Sequence, residues 1–475
     1  MRTPTTIPRV RAAVRGAVRG AVRGAVTWAR RAVATAAMVA AVALLPLLGA
    51  CKGSSLLAVD NPDIVTPDNL SGPAGVATLR AGALGDFALA LSGSAAGHGS
   101  TPGLIHYSGS FTDELTYSGT FPTRRQVDER RLLVNNGDLS GLYRNLHRAR
   151  AAAENAAAKL EAAGTATAPD PRLGEMRSLA GYAYLFFGEN YCSGVPISTA
   201  SEAGELTFGD PQTTTQLFES AVSWFDRALA GSPANAAQAQ LARVGRARAL
   251  VNLGRFPDAA TAVAGVPTDF SYVVEYSANS LRQQNGVFQL SGVDRQYSVA
   301  DREGGNGLPA RSLGDPRMRW ARTEGEVGQD GTTPFYLQLK YRDPNAPVPL
   351  ATGVEARLIE AEVALRGNDV ARFGQLHTQL RATAGLPAVD VTAMSAAQRV
   401  DFHFRERAAW LWLTAQRLPD LRRLVRQYGR PAEQVFPSGT YFKGGQFGPD
   451  VNFPIPIEEQ NNPNFRGKEC LDRNP

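Results

Sequence analysis

Apolar positions recur at intervals of three and four along much of the chain, the spacing that lines one face of an α-helix. Val76, Leu79, Ala83, Phe87 and Leu91 predict a first amphipathic helix over 75–91. Leu142, Leu146, Ala149, Ala153, Ala156 and Leu160 predict another over 139–163, its alanines permitting close helix approach. Residues 172–191 read as the next helix, with Gly188 as a stop signal. Residues 213–230 read as a fourth, capped by Thr214 or Thr215 and buried through Leu217, Ala221, Trp224, Phe225 and Ala228.

Within 236–265, Ala247, Leu250, Gly254, Phe256, Ala259 and Val263 follow the small-large-turn-small order of a tetratricopeptide helix pair. A second pair is read over 354–384, about a turn at Gly367-Asn368-Asp369. No regular self-repeat joins them, so the pairs are expected to be scattered through a larger domain rather than stacked as a solenoid. A last helix is expected over 396–428, broken near Pro419, with Phe402, Trp410 and Trp412 in the core. The period disappears over 92–123, read as a loop region, and over 267–353, read as a long irregular insert of the kind that carries function on a helical scaffold. The predicted class is all-α: tetratricopeptide-like helix pairs with long irregular inserts, over a domain spanning 75–475.

Charge changes the picture at the N-terminus. The 475-residue chain carries a net charge of +6, yet eight of its 50 basic residues precede Cys51, leaving 42 against 44 acids from that residue onward. The basic character belongs to a leader, and nucleic acid loses its main argument as a partner. That leader, residues 1–50, has an Arg-rich start, an apolar stretch from Ala32 to Leu48, and Gly49 and Ala50 before Cys51. It reads as a secretory signal whose Leu48-Gly49-Ala50-Cys51 fits a bacterial lipobox, making Cys51 the lipidated mature N-terminus and 51–74 a tether. A simple transmembrane anchor is the alternative, on an apolar run that is short and contains Pro46. With Cys51 acylated, Cys192 and Cys470 remain as a pair in an oxidising compartment and are expected to form a disulfide, an effect of about 4 to 5 kcal/mol in the chain-entropy model. Two unrelated buried thiols are the alternative.

No nucleophile elbow, zinc spacing, phosphate loop or dinucleotide fingerprint appears, and no cofactor is expected. Gly304-Gly305-Asn306-Gly307 reads as a turn. His98, His106, His147, His377 and His403 do not group at ligand spacing, so no metal is assigned. Asp113-Glu114 is the most suggestive carboxylate pair for glycoside hydrolysis, although adjacent residues rarely face one bond; Glu360 and Glu362 fall on different faces of a helix. Aromatics are the better lead. Trp320, Tyr336 and Tyr341 lie in the insert with Arg317, Arg319, Gln338, Lys340 and Asp343 close by, a lining suited to sugar rings and hydroxyls, each residue having local packing as its plainer role.

Several stretches in order carry a family resemblance: Leu57-Ala58-Val59-Asp60-Asn61-Pro62, Gly85-Asp86-Phe87, Phe186-Phe187-Gly188-Glu189-Asn190-Tyr191-Cys192 with Gly194-Val195-Pro196, Arg405-Glu406-Arg407, Arg417-Leu418-Pro419-Asp420-Leu421-Arg422-Arg423, Phe453-Pro454-Ile455-Pro456 and Asn461-Asn462-Pro463. The chain resembles the SusD/RagB family of outer-membrane nutrient-binding lipoproteins. The resemblance implies a helical fold around tetratricopeptide-like pairs, no catalysis, an oligosaccharide or peptide ligand, and a SusC-like TonB-dependent β-barrel as partner. Lys52-Gly53-Ser54-Ser55 stands where many relatives carry acidic residues, which leaves both faces of the outer membrane open. The expected ligand residues remain Trp320, Tyr336, Tyr341 and Arg319, by local inference. The rival readings are an all-α glycoside hydrolase using Asp113 or Glu114 and a protein-binding helical scaffold in the envelope.

Overall fold

The computed structural model describes residues 72–164, 170–201, 204–465 and 470–475. The signal segment 1–50, Cys51 and the tether as far as residue 71 lie outside the described residues. Helix α1, Gly72–Ser92, starts ahead of the expected residue 75, because Pro73 is tolerated in a first turn where its missing N–H would be unpaired anyway. Helices α2, Leu104–Phe111, and α3, Pro122–Asp128, occupy the stretch around 92–123 that was expected to be loop. All of α2 is buried, its polar His106, Ser108 and Ser110 included, so it has no solvent-facing side to mark it as a helix in so short a stretch.

Helix α4, Gly137–Ala163, begins where the Asn136 side chain accepts from the amides of Asp138 and Leu139. Helix α5, Pro171–Asn190, is capped by Asp170 and runs past Gly188. A Cβ at Gly188 would lie 2.6 Å from the Phe218 ring, so this glycine admits the neighbouring helix instead of ending its own. That neighbour is α6, Thr214–Ala230, capped by Thr213 rather than Thr214 or Thr215, in a reciprocal box with Gln216. Helices α7, Ala237–Asn252, and α8, Phe256–Val263, form one tetratricopeptide-like pair; α9, Gly353–Arg366, and α10, Val370–Thr383, form the other.

The pairs are not scattered. Helices α4 to α10 pack each on the next, with α8 against α9 although 89 residues separate their facing ends. The insert permits this because it leaves and returns at one place. Strand Ser271–Val274 pairs antiparallel with Val348–Thr352, and the Gly353 amide donates to the Phe270 carbonyl at 2.8 Å. A Cβ on Gly353 would fall 1.9 Å from the Pro267 carbonyl oxygen, so the crossing needs glycine. The stack is therefore continuous in space where the sequence is interrupted.

The last helical segment is α11, Ala396–Trp410, then α12, Arg417–Tyr428. Its break falls at 411–416 and not at Pro419, which sits in the first turn of α12. Trp412 is fully buried but lies in this break rather than on a helix. Leu413 and Ala415 take φ of 53° and 62°, conformations that non-glycine residues rarely adopt, and the surroundings hold them there. The Leu413 amide donates to Glu114 Oε1 at 2.8 Å, and its carbonyl accepts from the Tyr341 hydroxyl at 2.8 Å.

Candidate functional site

The insert does not hang free. Its strand Tyr297–Val299 pairs with Leu115–Tyr117, and the Ser118 amide donates to the Gln296 carbonyl at 2.7 Å. On this base stands a two-stranded ladder, Trp320–Ala321 against Leu337–Gln338, with Trp320 opposite Gln338. The residue before the second strand, Tyr336, is fixed through its backbone: its amide donates to Ser298 Oγ at 2.8 Å and its carbonyl accepts from the Val299 amide at 2.9 Å. Side-chain direction then places Trp320 and Tyr336 together, ring centroids 5.4 Å apart and edge to face.

These two rings line an open cleft of about 660 Å³, together with Asp301, Arg311, Ser312, Arg322 and Glu324. Arg311 lies 3.6 Å over the Tyr336 ring, and Arg322 donates to the Tyr336 hydroxyl at 2.9 Å. Neither guanidinium enters a salt bridge among the described residues, whereas most buried arginines of the molecule do. Asp301 is committed to the loop: its Oδ1 accepts from the amides of Arg311 and Ser312 and from Ser312 Oγ. Nearby Glu303 is pushed up to about 7 by burial, so it carries only part of a negative charge at neutral pH. The cleft thus offers the Trp320 ring, two guanidinia outside any salt bridge among the described residues and an exposed carboxylate at Glu324, while the Tyr336 ring is held between Trp320, Arg311 and Arg322.

Of the four expected ligand residues, the structure brings Trp320 and Tyr336 together and leaves the others apart. Tyr341 is buried, 2% exposed, and its hydroxyl is spent on Leu413. Arg319 is exposed but does not line the cleft, since neighbours on a strand point to opposite faces. Arg317 is tied to Asp315 and Glu406, buried Gln338 caps the amides of Lys340 and Tyr341, and Lys340 donates to the Trp412 carbonyl. Arg311, Ser312 and Asp301 were missed, because nothing in a turn-rich stretch says which residues will meet Tyr336. Arg322 had a signal: it stands two residues from Trp320, on the same side of an extended strand.

The carboxylate pair does not form a site. Asp113 faces Arg417 and the Leu308 amide, while Glu114 faces Leu413. Burial pushes Glu114 up to about 7, against the Leu413 hydrogen bond, which pulls it down. The histidines are mostly interior. His106 Nδ1 accepts from the Gly103 amide and burial lowers it to about 3; His377 Nε2 and His403 Nδ1 lie 3.1 Å apart beside Glu362. Among the described residues no group of three or more His, Cys, Asp or Glu side chains is placed to hold a metal ion. The structure joins Cys192 to Cys470, Cα atoms 5.9 Å apart.

No family model and no curated protein sequence matches the chain. Solved structures do. A SusD-like carbohydrate-binding protein from Bacteroides fragilis superposes with a TM-score of 0.62 at 15% identity, over 84% of this chain and 99% of its own. A SusD superfamily protein from Parabacteroides distasonis gives 0.61 at 13% identity, over 82% and 97%. A SusD/RagB family protein from Bacteroides thetaiotaomicron gives 0.56 at 13%, over 82% and 95%. The chain has the SusD/RagB fold, in agreement with the resemblance read from its motifs.

Proposed function

We propose that this SusD-fold chain is a non-catalytic, lipid-anchored receptor that captures oligosaccharide in the Trp320–Tyr336 cleft and delivers it to a SusC-like TonB-dependent β-barrel in the outer membrane. The observation that carries the reading is the pairing of two partly exposed aromatic rings with two guanidinia that enter no salt bridge among the described residues. Stacking supplies affinity for ring faces, and the arginines supply donors to hydroxyls. Solved proteins of this fold whose names include carbohydrate binding support the ligand class. The lipobox ending at Cys51 supports the anchor, and the family's habit supports the barrel partner. Weak binding suits such a role. A micromolar dissociation constant corresponds to about −8 kcal/mol, within reach of a few stacked rings and polar contacts, and still allows release.

The test is a panel of glycans and peptides titrated against the mature chain, followed by Trp320→Ala. The expected result is saturable binding to a glycan that Trp320→Ala weakens at least tenfold with an unchanged unfolding midpoint. Unchanged affinity removes this cleft from the function, and preference for peptides transfers it to another ligand class. Labelling with a radioactive fatty acid, lost in Cys51→Ser, tests the anchor, and copurification with a β-barrel tests the partner.

A further inference from the structure

The loop 301–312 that forms one wall of the aromatic cleft has a second cleft on its other flank. This one, of about 450 Å³, is built from Leu308 and Pro309 of the loop, Phe404 and Arg405 of α11, Arg417, Leu421 and Leu424 of α12, and the short helix Ala432–Val435. Its character is different. The floor is aliphatic, with Leu308, Leu421, Leu424 and Val435 each under a tenth exposed. It presents no free aromatic face: the Phe404 ring is covered by edge contact with Tyr428 at 5.3 Å and by Arg423 at 5.2 Å. Sugar stacking therefore has no platform here.

Its rim is cationic in excess. Arg430 is neutralised by Asp401 at 2.7 Å, and Arg417 by Asp113, to which it gives Nε and one Nη at 2.6 Å. The other Nη of Arg417 has no protein partner among the described residues, and neither does any atom of the exposed Arg405 guanidinium. The exposed side-chain amide of Gln434 also stands on this rim. One uncompensated positive charge with planar donors thus overlooks a greasy floor, which fits a monoanion that is planar at one end and apolar at the other.

We propose that this cleft is a second binding site, separate from the aromatic one, for small organic carboxylates with an aliphatic body, the carboxylate meeting Arg405 and the free Nη of Arg417 and the body resting on Leu308, Leu421, Leu424 and Val435. The probe is N-acetyl-leucine, with N-acetyl-leucinamide as its uncharged twin, followed by saturation-transfer NMR on the mature chain at low salt. Ligands of this size bind on the order of millimolar. The carboxylate is expected to saturate and the amide to bind at least tenfold more weakly. Arg405→Gln should reduce carboxylate binding at least tenfold, Arg405→Lys should recover part of it through charge alone, and both should unfold at the wild-type midpoint because Arg405 is exposed. Trp320→Ala should leave it unchanged. The proposal fails if the carboxylate does not saturate, if the amide binds equally, if Arg405→Gln has no effect or Arg405→Lys is as damaging, or if Trp320→Ala abolishes binding.

Discussion

Arg417 grips Asp113 with two parallel hydrogen bonds of 2.6 Å, pinning the start of α12 to the turn after α2. Asp113 is fully buried and its second oxygen also accepts from the Leu308 amide, so the carboxylate joins three segments distant in sequence. Removing one partner of a buried pair leaves the other charge uncompensated, at a cost of about 3 to 5 kcal/mol. Asp113→Ala is expected to lower stability by that order in urea unfolding. An unchanged midpoint would mean that Asp113 is not the clamp, and would return it to the list of groups free for chemistry.

Glu114, its neighbour, makes a pH signature. Burial raises its folded pKa from 4.5 to about 7, so the native state holds a proton that the unfolded chain has released. Its contribution is complete below about pH 4.5 and is lost as pH rises to 7, amounting to on the order of 3 kcal/mol across the window. Lys340, lowered to about 8 by burial, keeps its proton over most of that range. In Glu114→Gln the acceptor for the Leu413 amide survives and the titration does not. The stability of this variant relative to wild type should therefore climb between about pH 4.5 and pH 7 and level off above. A difference that stays flat with pH would show that Glu114 titrates normally.

The two tyrosines expected to face ligand part company. Tyr341 donates to the Leu413 carbonyl at 2.8 Å inside the protein, whereas Tyr336 stands in the cleft. Tyr341→Phe is expected to cost about 1 kcal/mol in stability and leave glycan affinity alone. Tyr336→Ala should do the reverse, losing affinity at least tenfold with a small change in midpoint. Affinity loss in Tyr341→Phe at full stability would reverse the assignment.

The same contrast explains what the sequence could and could not reveal. Helices with one wet face, such as α4 and α6, announce themselves by period, and the Phe256 to Val263 spacing marks a tetratricopeptide pair. Helix α2 is wholly buried and silent. The break at 411–416 is silent too, because it is imposed on Leu413 by Glu114 and Tyr341, partners 299 and 72 residues away. Proline is a local signal, and Pro419 drew the break to itself though a first turn accommodates it. In the cleft, Trp320 and Tyr336 were legible as aromatics without a helical period to occupy them. Arg311 was not, since only the folded loop carries it over the Tyr336 ring.

The bond between Cys192 and Cys470 closes the chain over 278 residues. Backbone pairing flanks it on both sides: the Ser193 amide donates to the Asp472 carbonyl at 3.0 Å, and the Leu471 amide to the Ser193 carbonyl at 2.8 Å. With two bonds from the Asn452 side chain to the Arg473 and Asn474 carbonyls and an Arg473–Asp450 ion pair at 3.2 Å, these hydrogen bonds hold a tail of few residues that buries little apolar surface, so the tail frays more readily once the covalent link is gone. The link itself removes loop-closure entropy from the unfolded chain, about 5 kcal/mol at most in the chain-entropy model and often less. Cys470→Ser is therefore expected to shift the urea midpoint downward and to open the chain to tryptic cleavage after Arg473, while glycan affinity stays at wild-type level because the cleft residues lie elsewhere. Reductant should reproduce the shift in wild type and add nothing in the variant. A midpoint indifferent to both would mean that the two thiols are not joined in the native protein.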